Sequence, residues 1–200
     1  MKKEFSFYEF VGILVPSVIF LFATNLIISN VYQKQVFDFS KIGESFVFII
    51  IAYGFGHLLQ ALGNFFESLF WGVFKGMPTK WLTNKNLFGK NLFDSTLNSK
   101  IEAKVKLKFG EGIEDYGRIT NNILIQKNLN ARIEIFNGNY SLFRGLAVSF
   151  LLISIMCSIY FDYTIVSPFI IFFLLAVWRM HRFALYYAKE VFMTFYNLPE

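Results

Sequence analysis

Residues 53–67 read YGFGHLLQALGNFFE and lie inside a long apolar run. His57, Gln60, Asn64 and Glu67 interrupt that run at intervals of three, four and three. Period-2 alternation of the kind a membrane barrel needs is missing, so the run reads as a helix. At about 100° per residue the four polar side chains fall within an arc of roughly 80°. Ala52, Gly56 and Gly63 fall on the adjoining arc. One side of the helix is therefore polar and small, and the rest is Leu and Phe. The polar side is expected to avoid lipid, because an unpartnered polar group in hydrocarbon costs several kcal/mol. The small residues let another backbone come close.

The rest of the chain fits a membrane setting. It has 200 residues, 55% hydrophobic and 16% charged, with 27 phenylalanines and a mean hydropathy of +0.47. Soluble domains are less apolar. Crossing a hydrocarbon core of about 30 Å takes roughly 20 apolar residues, and four segments approach that: Phe10 to Ile28, Ser45 to Phe70, Gly145 to Phe161 and Thr164 to Trp178. The expected fold class is an all-α membrane protein with four transmembrane helices and a basic cytoplasmic segment between spans two and three. Residues 1–74 hold spans one and two, 75–144 the segment, and 145–200 spans three and four with a helical tail. The first span reads as uncleaved, because its apolar run is long and is followed by polar VYQKQ. Gly12 and Pro16 lie within it; proline frees backbone carbonyls and bends a helix, which serves either packing or a gating hinge. The fourth span starts either at Ser167-Pro168, as N-cap and first helical residue, or near Thr164 with proline in the first turns.

Lys and Arg near the span ends set the direction. Lys2 and Lys3 precede the first span, Arg179, Arg182 and Lys189 follow the fourth, and Lys75 to Arg144 carries nine Lys and three Arg against six acids. Both termini and the central segment are expected on the cytoplasmic side of a bacterial inner membrane, with Trp71 and Trp178 at that interface. Within the segment, GMPTKWLTNKNLFGKNLFD reads as loop with short turns. KIEAKVKLKF (100–109) alternates in its second half like a strand and fits an amphipathic helix less well, which leaves its type open. Ile119 to Arg144 reads as one helix, with Ile125, Leu129, Ile133, Phe136 and Tyr140 at helical spacing and a break or bend at Asn137-Gly138-Asn139. The apolar tail residues Phe183, Leu185, Tyr186, Val191 and Phe192 need cover from the central segment or another subunit.

Three functional readings of the polar stripe compete: glue between helices, a water-lined path through an oligomer, and a catalytic His57/Glu67 couple. The last lacks a second histidine, an aspartate pair or a nucleophile at useful spacing, so no enzyme is expected. His57 is expected to be neutral and hydrogen-bonded, to Asn25 or Gln60. Glu67 is placed to snorkel or to form an ion pair with Arg144, for which Glu9 competes. Lys100, Lys104, Lys106 and Lys108 form a basic cluster. It serves either the positive-inside rule and anionic lipid, or a phosphate-bearing ligand such as a nucleotide or oligonucleotide. There is no glycine-rich phosphate loop, and no cofactor is implied. Cys157 and His181 read as packing and interfacial residues; two histidines and one cysteine build no metal site.

FYEFVGILVPS, YGFGHLLQALGN and NGNYSLFRG together resemble small four-span bacterial inner-membrane proteins of anti-phage defence systems, in particular the membrane channel effector of the Hailong system. The resemblance implies a homo-oligomeric ion channel that depolarises an infected cell. Its gate would answer to a DNA oligomer made by a partner nucleotidyltransferase. The membrane sensor of the Kiwa system is similar in span count and implies the alternative, a sensor or scaffold without a pore that recruits a soluble partner.

Overall fold

The computed structural model describes residues 8–34 and 36–199, with only the backbone described at positions 8 and 9. Lys2, Lys3 and the side chain of Glu9 lie outside the described residues. The described chain is all-helical. A π-helical turn, Tyr8–Leu14, leads into α1 (Val15–Tyr32). Then come α2 (Ile42–Val73), a 3-10 helix (Pro78–Leu82), α3 (Ser95–Phe109), α4 (Tyr116–Gln126), α5 (Ala131–Tyr160) and α6 (Tyr163–Tyr196). Four helices are long and apolar enough to cross a membrane: Phe10–Tyr32, the stretch containing α2, α5 and α6.

Contacts divide the chain into two units. The first comprises residues 1–66 and 138–180. Its core draws on all four long helices: Phe20 and Ile27 from α1, Leu59 from α2, Val148, Ile153 and Cys157 from α5, and Val166 from α6. Cys157 is 2% exposed, a packing residue as expected. α6 begins at Tyr163 with Pro168 inside it, so the helix starts near Thr164 and not at Ser167-Pro168. The Asp162 carbonyl takes the first turn's N–H groups from Ile165 and Val166. Pro168 is the sixth residue of α6 and cannot donate to the Thr164 carbonyl; the Ser167 hydroxyl donates to that carbonyl (3.4 Å). The connection between α1 and α2 is tied down by Asn25. Its Oδ1 accepts from the N–H groups of Val36 and Phe37 (3.0 and 3.1 Å), and its Nδ2 donates to the Phe37 carbonyl (3.3 Å). In the same connection the hydroxyl and N–H of Ser40 hold the Asp38 carboxyl below the usual carboxylate range.

The second unit comprises residues 67–137 and 181–200. KIEAKVKLKF is helical, as part of α3. Asp94 caps that helix by accepting from the Leu97 N–H (3.2 Å), and Ile101 and Val105, one turn apart, are fully buried. Asn98 adds a buried bond to the Leu82 carbonyl (2.8 Å). A strand would need a pairing partner; a capped helix needs only one buried stripe.

The single helix expected from Ile119 to Arg144 is two. α4 ends at Gln126 and α5 starts at Ala131. Asn128 adopts φ 55° there, and the Leu129 N–H returns to the Leu124 carbonyl (2.9 Å), closing the helix end. Asn137-Gly138-Asn139 stays helical within α5. The apolar spacing across 125–140 survives because a four-residue link nearly preserves the helical period. The tail of α6 is covered by the central segment: Phe195 stacks on Phe109 (5.5 Å), Tyr186 meets Phe136 (5.7 Å), and Val191 and Phe192 are fully buried.

Asparagine tolerates the left-handed conformation that a β-branched residue resists by about 1–2 kcal/mol. Asn128→Val is therefore expected to lower the melting temperature of the detergent-solubilised protein, and Asn128→Gly to leave it unchanged or raise it. Equal melting of the two variants would rule out the helix break at 128.

Candidate functional site: the Gln60 node and the outward seam of the second helix

The polar arc on α2 is divided by the fold. Ala52, Gly56 and Gly63 form the middle of its buried face, Gln60 lies at the edge of that face, and His57 and Asn64 lie beyond it, exposed. Glu67 is half-buried and belongs to the second unit, so its pairing with Arg144 in the first unit stays an expectation.

Gln60 joins three helical segments. Pro16 has no N–H to donate into the π-turn ahead of it, whose Gly12 carbonyl lies about one turn back. The Gln60 Nε2 donates to that carbonyl. Its second, longer bond runs to the Ser141 carbonyl (3.5 Å). Its Oε1 accepts from Nη2 of Arg144 (2.5 Å). Arg144 is 9% exposed and also lies over the Tyr140 ring at 5.7 Å. Ser149 adds a further tie, donating to the carbonyls of Pro16 (3.2 Å) and Gly145 (2.9 Å).

The small residues make this approach physically possible. A Cβ on Gly56 would sit 2.5 Å from the Ile13 carbonyl oxygen, which belongs to backbone and cannot swing away. A Cβ on Gly145 would sit 2.7 Å from Cγ of Pro16. Gly63 faces the Arg144 side chain at 3.3 Å. The expectation that the small arc admits a neighbouring backbone is met at Gly56, by the π-turn ahead of α1.

His57 is bonded to neither expected partner. Asn25 spends both amide atoms on the 36–37 backbone, and Gln60 points inward. Among the described residues the His57 ring makes an edge contact with Tyr53 (5.1 Å, 89°). His57 and Asn64 belong instead to a pattern that sequence inspection missed. Gly43, Val47, Ile50, Gly54, His57, Ala61 and Asn64 alternate by four and three, and every one of them is exposed. Sustained over three heptads, this is the spacing of a helix–helix seam. The polar residues drew attention away from it, although the 4-3 rhythm is present in the letters.

The lysine cluster also divides. In an α-helix Lys100, Lys104 and Lys108 share one face, while Lys106 points the other way. Lys106 pairs with Glu102 (2.7 Å), whose carboxylate holds the ammonium above the usual lysine range. Lys104 donates to the carbonyls of Tyr196 (2.9 Å) and Leu198 (2.7 Å). Lys104 and Lys108 line a cavity of about 500 Å³; Lys100 is exposed elsewhere on that face. His181 is enclosed by aromatic rings, stacked on Trp71 (5.6 Å, 28°) with Phe74 and Trp81 nearby. No group of three metal-ligating side chains occurs among the described residues.

Set against protein-family models, curated proteins and solved structures, the chain matches none.

Replacing Gln60 with Leu removes its hydrogen bonds to Arg144 and to the Gly12 carbonyl, and a hydrogen bond to a charged group contributes about 1.5–3 kcal/mol. Gln60→Leu is expected to lower the melting temperature in detergent by several degrees, and Gly56→Ala to do the same through overpacking of about 1–3 kcal/mol. His57→Leu, on the exposed seam, is expected to leave the melting of the single protomer unchanged. A Gln60→Leu protein as stable as the parent would remove the node from the account.

Proposed function

We propose that the protein is an ion-permeable channel assembled from several copies in a bacterial inner membrane. In this reading it is an effector of anti-phage defence, gated from its cytoplasmic side by a nucleotide or oligonucleotide. The observation that carries the proposal is the outward placement of His57 and Asn64 on a heptad-spaced face of a membrane-length helix. Such side chains are costly against acyl chains and are satisfied by another protomer or by water. Gly43, Gly54 and Ala61 on the same face allow close approach of a second copy. The interior of the first unit, by contrast, is occupied by Gln60, Arg144 and Ser149 bonded to each other or to backbone. That favours a path between copies over a path through one.

The reading without a pore, a membrane sensor or scaffold for a soluble partner, draws on a different observation. Leu107 (87% exposed) and Phe88 (70% exposed) stand out from the second unit as apolar side chains without cover.

Purified protein reconstituted in liposomes should pass ions, and His57→Leu or Asn64→Leu should change that flux several-fold. In bacterial membranes, Ala61→Cys in a Cys157→Ser background should give a cross-linked dimer. Monomer bands alone, with no flux under any nucleotide condition, would reject the channel and favour the scaffold.

A further inference from the structure

The cavity beside α3 is not explained by the packing of the second unit. Its walls are the α3 face carrying Lys104, Leu107 and Lys108, the end of α4 from Ile123 to Lys127, and the chain beyond α6. At about 500 Å³ it lies within the range of roughly 300–1,000 Å³ typical of small-molecule sites. Its chemistry is split. Lys104, Lys108 and Lys127 supply the charge, with Gln126 next to them, and no carboxylate is among the described lining residues. Leu107, Ile123 and Phe195 supply an apolar wall.

Lys104 is fixed in place. An ammonium has three donors, and two of those on Lys104 are spent on the carbonyls of Tyr196 and Leu198. Among the described residues no third carbonyl accepts from Lys104; the ammonium also lies 5.7 Å from the centre of the Tyr196 ring. Lys108 and Lys127 are exposed. Leu107 is 87% exposed, an apolar side chain standing at a basic rim.

We propose that this cavity binds a small phosphate monoester with an apolar body, its phosphate held by Lys104, Lys108 and Lys127 and its body against Leu107, Ile123 and Phe195. A phosphate near −2 charge balances most of three lysines, and the apolar wall has no use for a bare ion. The size favours one compact molecule over a polymer. The site deepens the ligand-gated reading and takes its role from it. The ligand would act where Lys104 holds the end of α6, a helix that is continuous from Tyr163 to Tyr196.

Binding is measured by calorimetry on the full chain in detergent micelles, without any flux assay, so the site and the channel fail separately. Four probes are used: a nucleoside monophosphate, a lysophosphatidic acid below its critical micelle concentration, inorganic phosphate, and a deoxytetranucleotide. Saturable one-to-one binding of either monoester, at least tenfold tighter than inorganic phosphate, is the expected result. Which of the two binds tells a soluble source from a lipid one. Lys108→Glu with Lys127→Glu should weaken that binding at least tenfold at unchanged melting temperature, and Leu107→Asp should weaken it independently. Lys100→Glu, outside the cavity, should leave it unchanged. Binding of neither monoester, equal binding of inorganic phosphate, tighter binding of the tetranucleotide, or insensitivity to the cavity variants would each overturn the proposal.

Discussion

The bond from the Gln60 amide to the Gly12 carbonyl, just ahead of a proline, ties the first unit together. Pro16 has no N–H to give the turn before it, and water is scarce at membrane depth, so a donor from another segment is favoured there. Gln60 supplies one from α2 and accepts from Arg144 of α5 with its other amide atom. Between helices in lipid there is no hydrophobic drive of the kind that assembles soluble cores, since the tails are as apolar as leucine. Close packing at small residues and polar bonds between helices take over that work. The glycines at 56 and 145 have meaning in this light: each removes the one methyl group that would hold two backbones too far apart for the amide to reach.

Much of this was legible in the letters, because the membrane restricts the choices. Length and apolarity were enough for four helices, and the polar arc on the second was visible from spacing alone. What the arc could not disclose was where burial stops. Gln60 and Asn64 differ by about 40° around α2, yet one is inside the protomer and the other outside. That boundary depends on which neighbours dock, and docking is decided by Gly56 against Ile13, a contact between distant parts of the chain.

The second unit was read less well, for local reasons. In KIEAKVKLKF the alternation of lysine with apolar residues imitates a strand. Helix formation depends there on the Asp94 cap and on Ile101 and Val105 finding cover, both invisible to a period count. The consequence reached the site: a strand would have put Lys104, Lys106 and Lys108 on one face, whereas the helix turns Lys106 away to Glu102. The break between α4 and α5 was misplaced for a similar reason. Asn-Gly-Asn is a strong turn signal, but residues 137–139 sit inside a helix whose membrane portion propagates through them, while Asn128 has no such neighbour to overrule it.

The outward seam on α2 carries a mechanical consequence. A strict 4-3 repeat drifts by about 20° per heptad on a straight helix. Helices can keep such a seam in register over three heptads only by winding gently around one another with a left-handed twist. In the proposed assembly, with copies wound that way, tilt and rotation would no longer be independent motions. A small change of inclination would turn every copy's imidazole at 57 and amide at 64 together, as the blades of an iris move from a single collar.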